Sequence, residues 1–251
     1  MKPSVIRQIV GLGLSISVAI GSNVDAGESP KSTTSPTVAA PSPTTGTIES
    51  DPVAEKWLRA LEERHRDHRR ASGEFDQVRE DPVFLEKNEW KGRFCYERPS
   101  RFRCDYTEPE ASTHTVIGNI ATSYFPAFKQ VEEYRLSREG SGIGEVNHML
   151  LAFGIETDKI LKHFVVTNDP AAVANSLRLS FVPKAPPEER PFKQFILEMS
   201  EPDLTPKRFE IIGDGDDWTT VVIREIKWNP MLPPETFRLK FPRDVEKIVH
   251  E

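Results

Sequence analysis

The segment 94–106 reads Phe94-Cys95-Tyr96-Glu97-Arg98-Pro99-Ser100-Arg101-Phe102-Arg103-Cys104-Asp105-Tyr106. Aromatic and charged residues alternate on both sides of a Pro-Ser pair. This pattern is typical of two half-buried strands joined by a tight turn. We therefore predict a β-hairpin with one apolar face, and this hairpin decides how the rest of the chain can fold.

Two registers of this hairpin are open. A two-residue loop, Pro99-Ser100, places Cys95 opposite Cys104, where a cross-strand disulfide could form. A three-residue loop, Pro99-Ser100-Arg101, instead gathers the apolar side chains on one face and turns Cys95 away. Because a one-residue slip moves a whole strand's side chains to the other face, the apolar pattern favours the three-residue loop and no disulfide. The expected inner face is then Phe94, Tyr96, Arg98, Phe102, Cys104 and Tyr106.

Outward from the hairpin, short alternating segments recur from Gly73 to 237–241, and short connections join them. This predicts a large antiparallel sheet. Asp51-Pro52 should begin a helix before the sheet, with a side-chain acceptor at the N-cap and proline at the first helical position. A second helix is predicted over 143–153, with Met149, Leu150 and Phe153 on one side, and a short helical turn over 158–161. A helix inserted between strands of one sheet must cover a face of that sheet.

The N-terminal part of the chain differs in composition. Lys2 and Arg7 precede an apolar run at 9–20, too short to span a bilayer comfortably, so 1–26 is predicted to be a secretory signal peptide. An uncleaved membrane anchor is the alternative. The Ser/Thr/Pro-rich stretch 27–49 predicts a disordered linker, which leaves 50–251 as the folded domain. Export would place both cysteines in an oxidising compartment.

Charge and motifs exclude several function classes. The chain of 251 residues carries 33 basic and 39 acidic residues, a net charge of −6, without the clustered positive charge that nucleic-acid binding needs. Nucleophile elbows, phosphate-binding glycine loops and zinc motifs are missing from the sequence. His65 and His68 could hold a metal with Glu62, but histidines in a run of arginines are usually solvated. We therefore expect no enzyme, no metal and no cofactor.

The sequence resembles a known family at several places in order. These are Phe75-Asp76-Gln77, the hairpin 97–103, the segment 105–109, Val182-Pro183-Lys184 and the tail 237–245, which together are similar to the LolA-like outer-membrane lipoprotein carriers. The resemblance runs from about 51 to 248. Asp81-Pro82-Val83-Phe84 before the hairpin is similar to a divergent, planctomycete-type branch.

This resemblance implies an α+β, mainly β fold: a strongly curved antiparallel sheet that forms an incomplete barrel, with helices as a lid over its concave apolar face. It also implies that Arg98, which matches the family's hairpin arginine, couples lid movement to cargo binding through hydrogen bonds to the lid backbone. Two positions depart from the family pattern. Cys104 stands where the family has an aromatic residue, and Asp244 where a glycine is usual.

The sequence thus predicts a monomeric, periplasmic carrier of lipoprotein or lipid acyl chains, which would exchange cargo with membrane-bound donor and acceptor proteins. An envelope sensor that binds a protein such as an anti-sigma factor on the same surface is the alternative. The predicted ligand-binding residues are Phe94, Tyr96, Arg98, Phe102, Cys104, Tyr106, Met149, Leu150 and Phe153.

Overall fold

The computed structural model describes residues 49–135, 153, 156–169, 174–190, 192–213, 215 and 217–250. The predicted signal peptide, nearly all of the predicted linker and most of the predicted helix 143–153 lie outside these residues. Met149 and Leu150 belong to that undescribed part, so their predicted contacts stay predictions.

Two helices and twelve strands are formed by the described residues. The helices are α1 (Pro52–Arg64) and α2 (Thr157–His163). The strands are β1 (Arg70–Asp81), β2 (Glu86–Glu97), β3 (Arg101–Glu108), β4 (Ser112–Ile117), β5 (Ile120–Phe125), β6 (Gln130–Arg135), β7 (Phe164–Asp169), β8 (Ser176–Pro183), β9 (Gln194–Ser200), β10 (Thr205–Ile212), β11 (Trp218–Trp228) and β12 (Glu246–His250).

All twelve strands belong to one open, curved sheet, in the order β12-β6-β5-β4-β3-β2-β1-β11-β10-β9-β8-β7. Its inner face is apolar and packs into one continuous core with α1, Phe153 and Ile160 of α2. The predicted mainly β fold, with helices over the concave face of a curved sheet, is confirmed. The short helical turn predicted over 158–161 is also confirmed and lies within α2.

One pair of strands departs from the predicted antiparallel order, because β12 runs parallel to β6. A strand predicted over 237–241 does not form; this part of the chain begins in a turn, has no regular structure, and lies between β11 and the edge strand β12. Arg103 Nη1 donates a hydrogen bond of 2.7 Å to Thr236 O, and the Phe241 ring lies 5.9 Å from that of Tyr124. Parallel strands need a long crossover, and here the whole chain between the end of β6 and the start of β12 forms it, with β7 to β11 on the way.

The hairpin loop is three residues long, but it differs from the predicted one. It consists of Arg98, Pro99 and Ser100, so that Tyr96 lies opposite Phe102 and Phe94 opposite Cys104. The predicted loop would have paired Arg98 with Phe102. The physical reason is a long-range contact: Arg98 N donates to Arg69 O at 2.9 Å, beside β1. A shift of two residues preserves the faces, so the five strand residues of the predicted inner face are placed correctly, whereas Arg98 lies in the loop.

The start of α1 is fixed in the predicted way and also covers a sheet edge. Asp51 Oδ1 accepts a hydrogen bond of 2.9 Å from Val53 N. Asp51 N donates to Val166 O, and Val166 N donates to Ser50 Oγ, so the chain before α1 pairs with the outermost strand β7. An edge strand that is covered in this way is protected against pairing with other chains.

Two glycines in the central strands bring neighbouring backbones unusually close. In the β1–β2 pair, Gly73 lies opposite Phe94, and Phe75 lies opposite Gly92. A Cβ atom at Gly92 would lie 2.6 Å from Phe75 Cζ and 2.7 Å from Asp105 O, and a Cβ atom at Gly73 would overlap Glu225 O. Register shifts occur next to both positions, between β1 and β11 and between β2 and β3. Glycines at such irregularities are a common source of sheet curvature.

Gly92→Ala should therefore lower the free energy of unfolding by about 2–3 kcal/mol, because the added methyl group must displace backbone as well as a ring. Gly118→Ala is the matched control. Gly118 has a φ of 62° with open space around it, so its substitution should cost only about 1 kcal/mol. Denaturant unfolding measures both values. Equal losses in the two variants would contradict the close-approach explanation.

His114 on β4 is a partly buried polar group on the inner face, opposite Cys104. Its ring nitrogens hydrogen-bond to Ser123 Oγ at 2.8 Å and Ser112 Oγ at 3.1 Å, and the rings of Tyr106 and Phe125 contact it edge-on. Burial lowers the pKa of His114 to about 4, although the Asp105 charge acts in the opposite direction. The imidazole is therefore neutral in the folded protein near pH 7.

This pKa predicts a loss of stability in acid. The unfolded chain takes up a proton at His114 near pH 6.5, whereas the folded protein does so only near pH 4. The stabilisation is thus fully present above pH 6.5 and decreases as pH falls to 4, by up to about 3 kcal/mol. Unfolding free energies measured from pH 7 to 4 should fall less steeply in His114→Gln than in the unchanged protein. Parallel curves would contradict this assignment.

Candidate functional site

Five of the predicted site residues form one apolar surface, which we call the inner wall. Antiparallel pairing of β2 with β3 places their side chains side by side on the buried face of the sheet, and each is at most 3% exposed. Phe75 of β1 extends this surface, because its ring meets that of Tyr106 edge-on at 5.4 Å. The inner wall consists of Phe94, Tyr96, Phe102, Cys104 and Tyr106.

Phe153 covers the inner wall. Its ring stacks on Phe94 at 5.2 Å and on Tyr96 at 6.0 Å, and it meets Trp228 edge-on at 5.9 Å. The side chain is only 3% exposed. The sequence predicted that Phe153 lies over the sheet, and the structure brings it against the hairpin as expected.

Arg98 ties this cover to the rest of the protein. Its Nη2 atom donates to Phe153 O at 3.4 Å and to His65 O at 3.3 Å. The arginine thus links the hairpin loop, the C-terminal end of α1 and the backbone that carries Phe153. Hydrogen bonds from a charged donor contribute more than neutral ones, so one side chain bridges three parts of the fold.

Next to the contact between Arg98 and His65 lies a pair of histidines, His65 and His68, whose burial was not predicted. His65 is 4% exposed, and its Nε2 donates to Leu204 O at 3.0 Å. Its Nδ1 must then accept the 2.8 Å hydrogen bond from His68 Nδ1, and both rings pack on Trp228. Burial lowers the pKa of both histidines. The expectation that they are solvated was wrong, although His65 continues the helical spacing of Ala54, Leu58 and Leu61 and could have been recognised from it.

These histidines are not part of a metal site in the structure. Within the described ranges, no group of three or more His, Cys, Asp and Glu side chains could hold a metal ion. The His65 and His68 rings instead pack on Trp228, and the backbone carbonyl of His65 accepts a hydrogen bond from Arg98.

The two cysteines are free and lie on opposite faces of the hairpin. Cys95 pairs with Arg103 on the outer face, whereas Cys104 belongs to the inner wall. Burial raises the pKa of the Cys104 thiol well above its usual value, so the group stays protonated and packs as a small apolar side chain. A disulfide between them is incompatible with this geometry.

The polar atoms at the Arg98 end of the inner wall are incompletely paired. Tyr96 Oη and Arg98 Nε are buried, and neither donates its hydrogen to an acceptor among the described residues. Burial raises the pKa of Tyr96 to about 12, while the nearby Arg98 acts against this rise through its charge and as a hydrogen-bond donor. The Tyr96 hydroxyl is therefore a proton donor at physiological pH.

In the part of the chain that the structure describes, no helix combines the length and apolar character needed to cross a membrane.

Comparison with known proteins identifies the family. The family model described as outer membrane lipoprotein carrier protein LolA matches residues 66–240. An outer-membrane lipoprotein carrier protein of Nitrosomonas europaea is 28% identical over 177 residues, which cover 69% of this chain and 80% of that protein. The corresponding protein of Methylococcus capsulatus is 24% identical over 178 residues, or 71% of this chain and 80% of that protein.

Among solved structures, an uncharacterized conserved protein from Thermus thermophilus is 10% identical, with a TM-score of 0.49, and covers 77% of this chain and 99% of that chain. The family match spans well over half of the sequence and includes the hairpin with Arg98. The chain therefore belongs to the LolA family of outer-membrane lipoprotein carrier proteins.

Proposed function

We propose that this protein is an exported, non-enzymatic carrier that binds the acyl chains of lipoproteins or lipids against the inner wall. The observation that carries the proposal is the position of Phe153, which stacks on Phe94 and Tyr96 and is held by Arg98. A single aromatic ring covers an apolar surface that a hydrocarbon chain could occupy instead. Membership of a lipoprotein carrier family supports this class of cargo.

Apolar burial would supply most of the affinity. Each buried methylene group contributes about 0.8 kcal/mol, so a long acyl chain gains enough to offset the loss of the Phe153 contacts. The inner wall itself carries few polar groups and would discriminate weakly between chains of similar length. Shape and the groups at the ends of the wall would then decide which cargo is bound.

The link made by Arg98 suggests how binding and release are coupled. In the structure Phe153 lies where the cargo would contact Phe94 and Tyr96, so cargo and cover compete for the same surface. Hydrogen bonds from Arg98 to Phe153 O and His65 O stabilise the covered state. Cargo would enter when these contacts open, and their return would favour release.

The proposed location of the protein is the periplasm, and its proposed partners are bound to membranes. Export to the periplasm rests on the sequence of 1–26 and on the family, and the protein would act as a monomer between membrane-bound donors and acceptors. Its place in a planctomycete-type branch stays a prediction. A segment of a protein partner, such as an anti-sigma factor in an envelope sensor, is the alternative occupant of the same surface.

Direct binding tests the proposal. Purified protein should bind a fluorescent fatty acid and a dipalmitoylated cysteine peptide saturably, with displacement of one by the other. Phe94→Asp should abolish both, because it places a charge on the inner wall without a partner. Phe84→Asp, a substitution at an exposed phenylalanine in the β1–β2 turn, is the matched control and should bind normally. No binding by the unchanged protein would favour the protein-partner alternative.

Arg98→Leu tests the coupling of cover and cargo. The variant should fold and bind the dipalmitoylated peptide, but its release to acceptor vesicles should slow about 10-fold or more, because the covered state loses hydrogen bonds from a charged donor. Arg101→Leu is the matched control, since Arg101 is exposed and pairs only with Glu97 among the described residues. Release measured by fluorescence dequenching should be normal in this control. Unchanged release by Arg98→Leu would contradict the coupling.

A further inference from the structure

The Tyr96 hydroxyl is an unusual group in this fold. The side chain is 1% exposed, yet its Oη–H group has no hydrogen-bond acceptor among the described residues. Buried hydroxyl groups in folded proteins are nearly always paired. The neighbouring Arg98 cannot supply what is missing, because a guanidinium group carries only donors. What the Tyr96 hydroxyl lacks is an acceptor for its proton.

A second hydrogen-bond donor next to the Tyr96 hydroxyl, Arg98 Nε, also lacks an acceptor in the part of the chain that the structure describes. Arg98 Nε is buried and unpaired among the described residues, while Nη2 of the same side chain is used by the two backbone carbonyls. Tyr96 near the end of β2 and Arg98 in the hairpin loop are two residues apart, and Arg98 acts on the Tyr96 phenol through its charge and as a side-chain hydrogen-bond donor. Two adjacent donors therefore converge on a place that lacks an acceptor oxygen.

Other tyrosines on the same face of the sheet differ in this respect. Tyr106 Oη donates to Gln77 Oε1 at 2.8 Å, and Tyr134 Oη donates to Glu132 Oε2 at 2.5 Å. The core thus supplies acceptors for buried tyrosines elsewhere. Of these three buried tyrosines only Tyr96, at the Arg98 end of the inner wall, lacks an acceptor, although Arg178 Nε and Arg208 Nε are also unpaired among the described residues.

We propose that Tyr96 Oη and Arg98 Nε together bind the carbonyl oxygen of the ester or amide that joins an acyl chain to its carrier molecule. This inference rests on the proposed function and specifies its ligand. A chain that lies along the inner wall in place of Phe153 would bring its first carbon to these donors and its methyl end towards Tyr106 and Phe75. The carbonyl would satisfy two buried donors that the covered state leaves unpaired.

The proposed carbonyl site would affect which chains the protein binds and the orientation in which it binds them. The protein would distinguish acyl chains from alkyl chains of the same length, which the apolar surface alone cannot do. It would also bind the chain in one orientation, with the polar carrier molecule next to Arg98 and the lid. Loading would be favoured because it removes the cost of two unpaired donors, in addition to the gain from apolar burial.

A matched pair of lipids tests this proposal. Palmitoyl lysophosphatidylcholine and hexadecyl lysophosphatidylcholine share a headgroup and a chain length, and only the first has a carbonyl group. The unchanged protein should bind the ester about 5-fold more tightly than the ether, below the micellar concentration of both. Tyr96→Phe should lose this preference and retain binding of the ether. Tyr96 is the better probe because removal of Arg98 also opens the lid contact.

Thermal unfolding of the empty protein supplies the second measurement. If the Tyr96 hydroxyl is unpaired without cargo, Tyr96→Phe should leave the melting temperature unchanged or raise it. Tyr106→Phe is the matched control and should lower it, because Gln77 loses its partner. A lower melting temperature in Tyr96→Phe would show that the protein's own chain supplies the acceptor, and it would overturn the proposal.

The lipid titrations separate the two hypotheses. If neither lipid binds, the proposed carrier function fails. If both bind to the unchanged protein with equal affinity, or if Tyr96→Phe keeps the preference for the ester, acyl binding stands and the carbonyl site is refuted.

Discussion

Two phenylalanine rings lie on the two glycines opposite them, Phe94 on Gly73 and Phe75 on Gly92, and this reciprocal packing occurs at the centre of the sheet. Each glycine also lets a backbone carbonyl of the next strand approach where a side chain would prevent it. The strands on either side consequently shift register next to these positions. A flat sheet would expose its apolar face, whereas this one bends around it. The inner wall exists because two positions have no side chain.

Arg98 connects this bent sheet to what covers it. Its backbone N–H sets the hairpin register through Arg69, and its side chain holds the carbonyl groups of His65 and Phe153. One residue therefore contributes to the architecture and to the site. The histidine pair below it keeps the end of α1 in place without adding charge, since burial lowers the pKa of both rings. This arrangement places the contacts between the hairpin loop, α1 and Phe153 at one end of an apolar surface.

Sequence periodicity predicted the faces of the hairpin correctly, although the predicted register was displaced. Alternation fixes only whether a residue points inwards, so moving the loop by one residue, which shifts the pairing by two, keeps Phe94, Tyr96 and Phe102 on the same face. The true register depends on the contact of Arg98 with Arg69, which lies in another part of the sequence. The parallel strand β12 likewise depends on where a long crossover ends, and local pattern contains no information about it.

The site was predictable to a similar extent. The aromatic side chains of the inner wall follow from alternation, and Arg98 from the resemblance to the family, but the pairing state of their polar atoms does not. Whether Tyr96 Oη finds an acceptor depends on side chains from distant strands, as the contrast with Tyr106 and Gln77 illustrates. His65 was misjudged because a charged neighbourhood in sequence became a buried one next to Trp228. At the end of a helix, charged neighbours in the sequence therefore say little about whether a given side chain is buried.

The pairing of β1 with β11 has a kinetic consequence. Gln77 lies opposite Val221, so the two halves of the sheet meet only after the chain has been made almost to its end. Contacts between such distant positions must close a long loop before they stabilise anything, and folding dominated by them is slow, on the order of milliseconds to seconds. During synthesis β1 to β6 would be complete before β11, the strand that pairs with β1, has been made. That delay suits a chain proposed to cross a membrane before it folds.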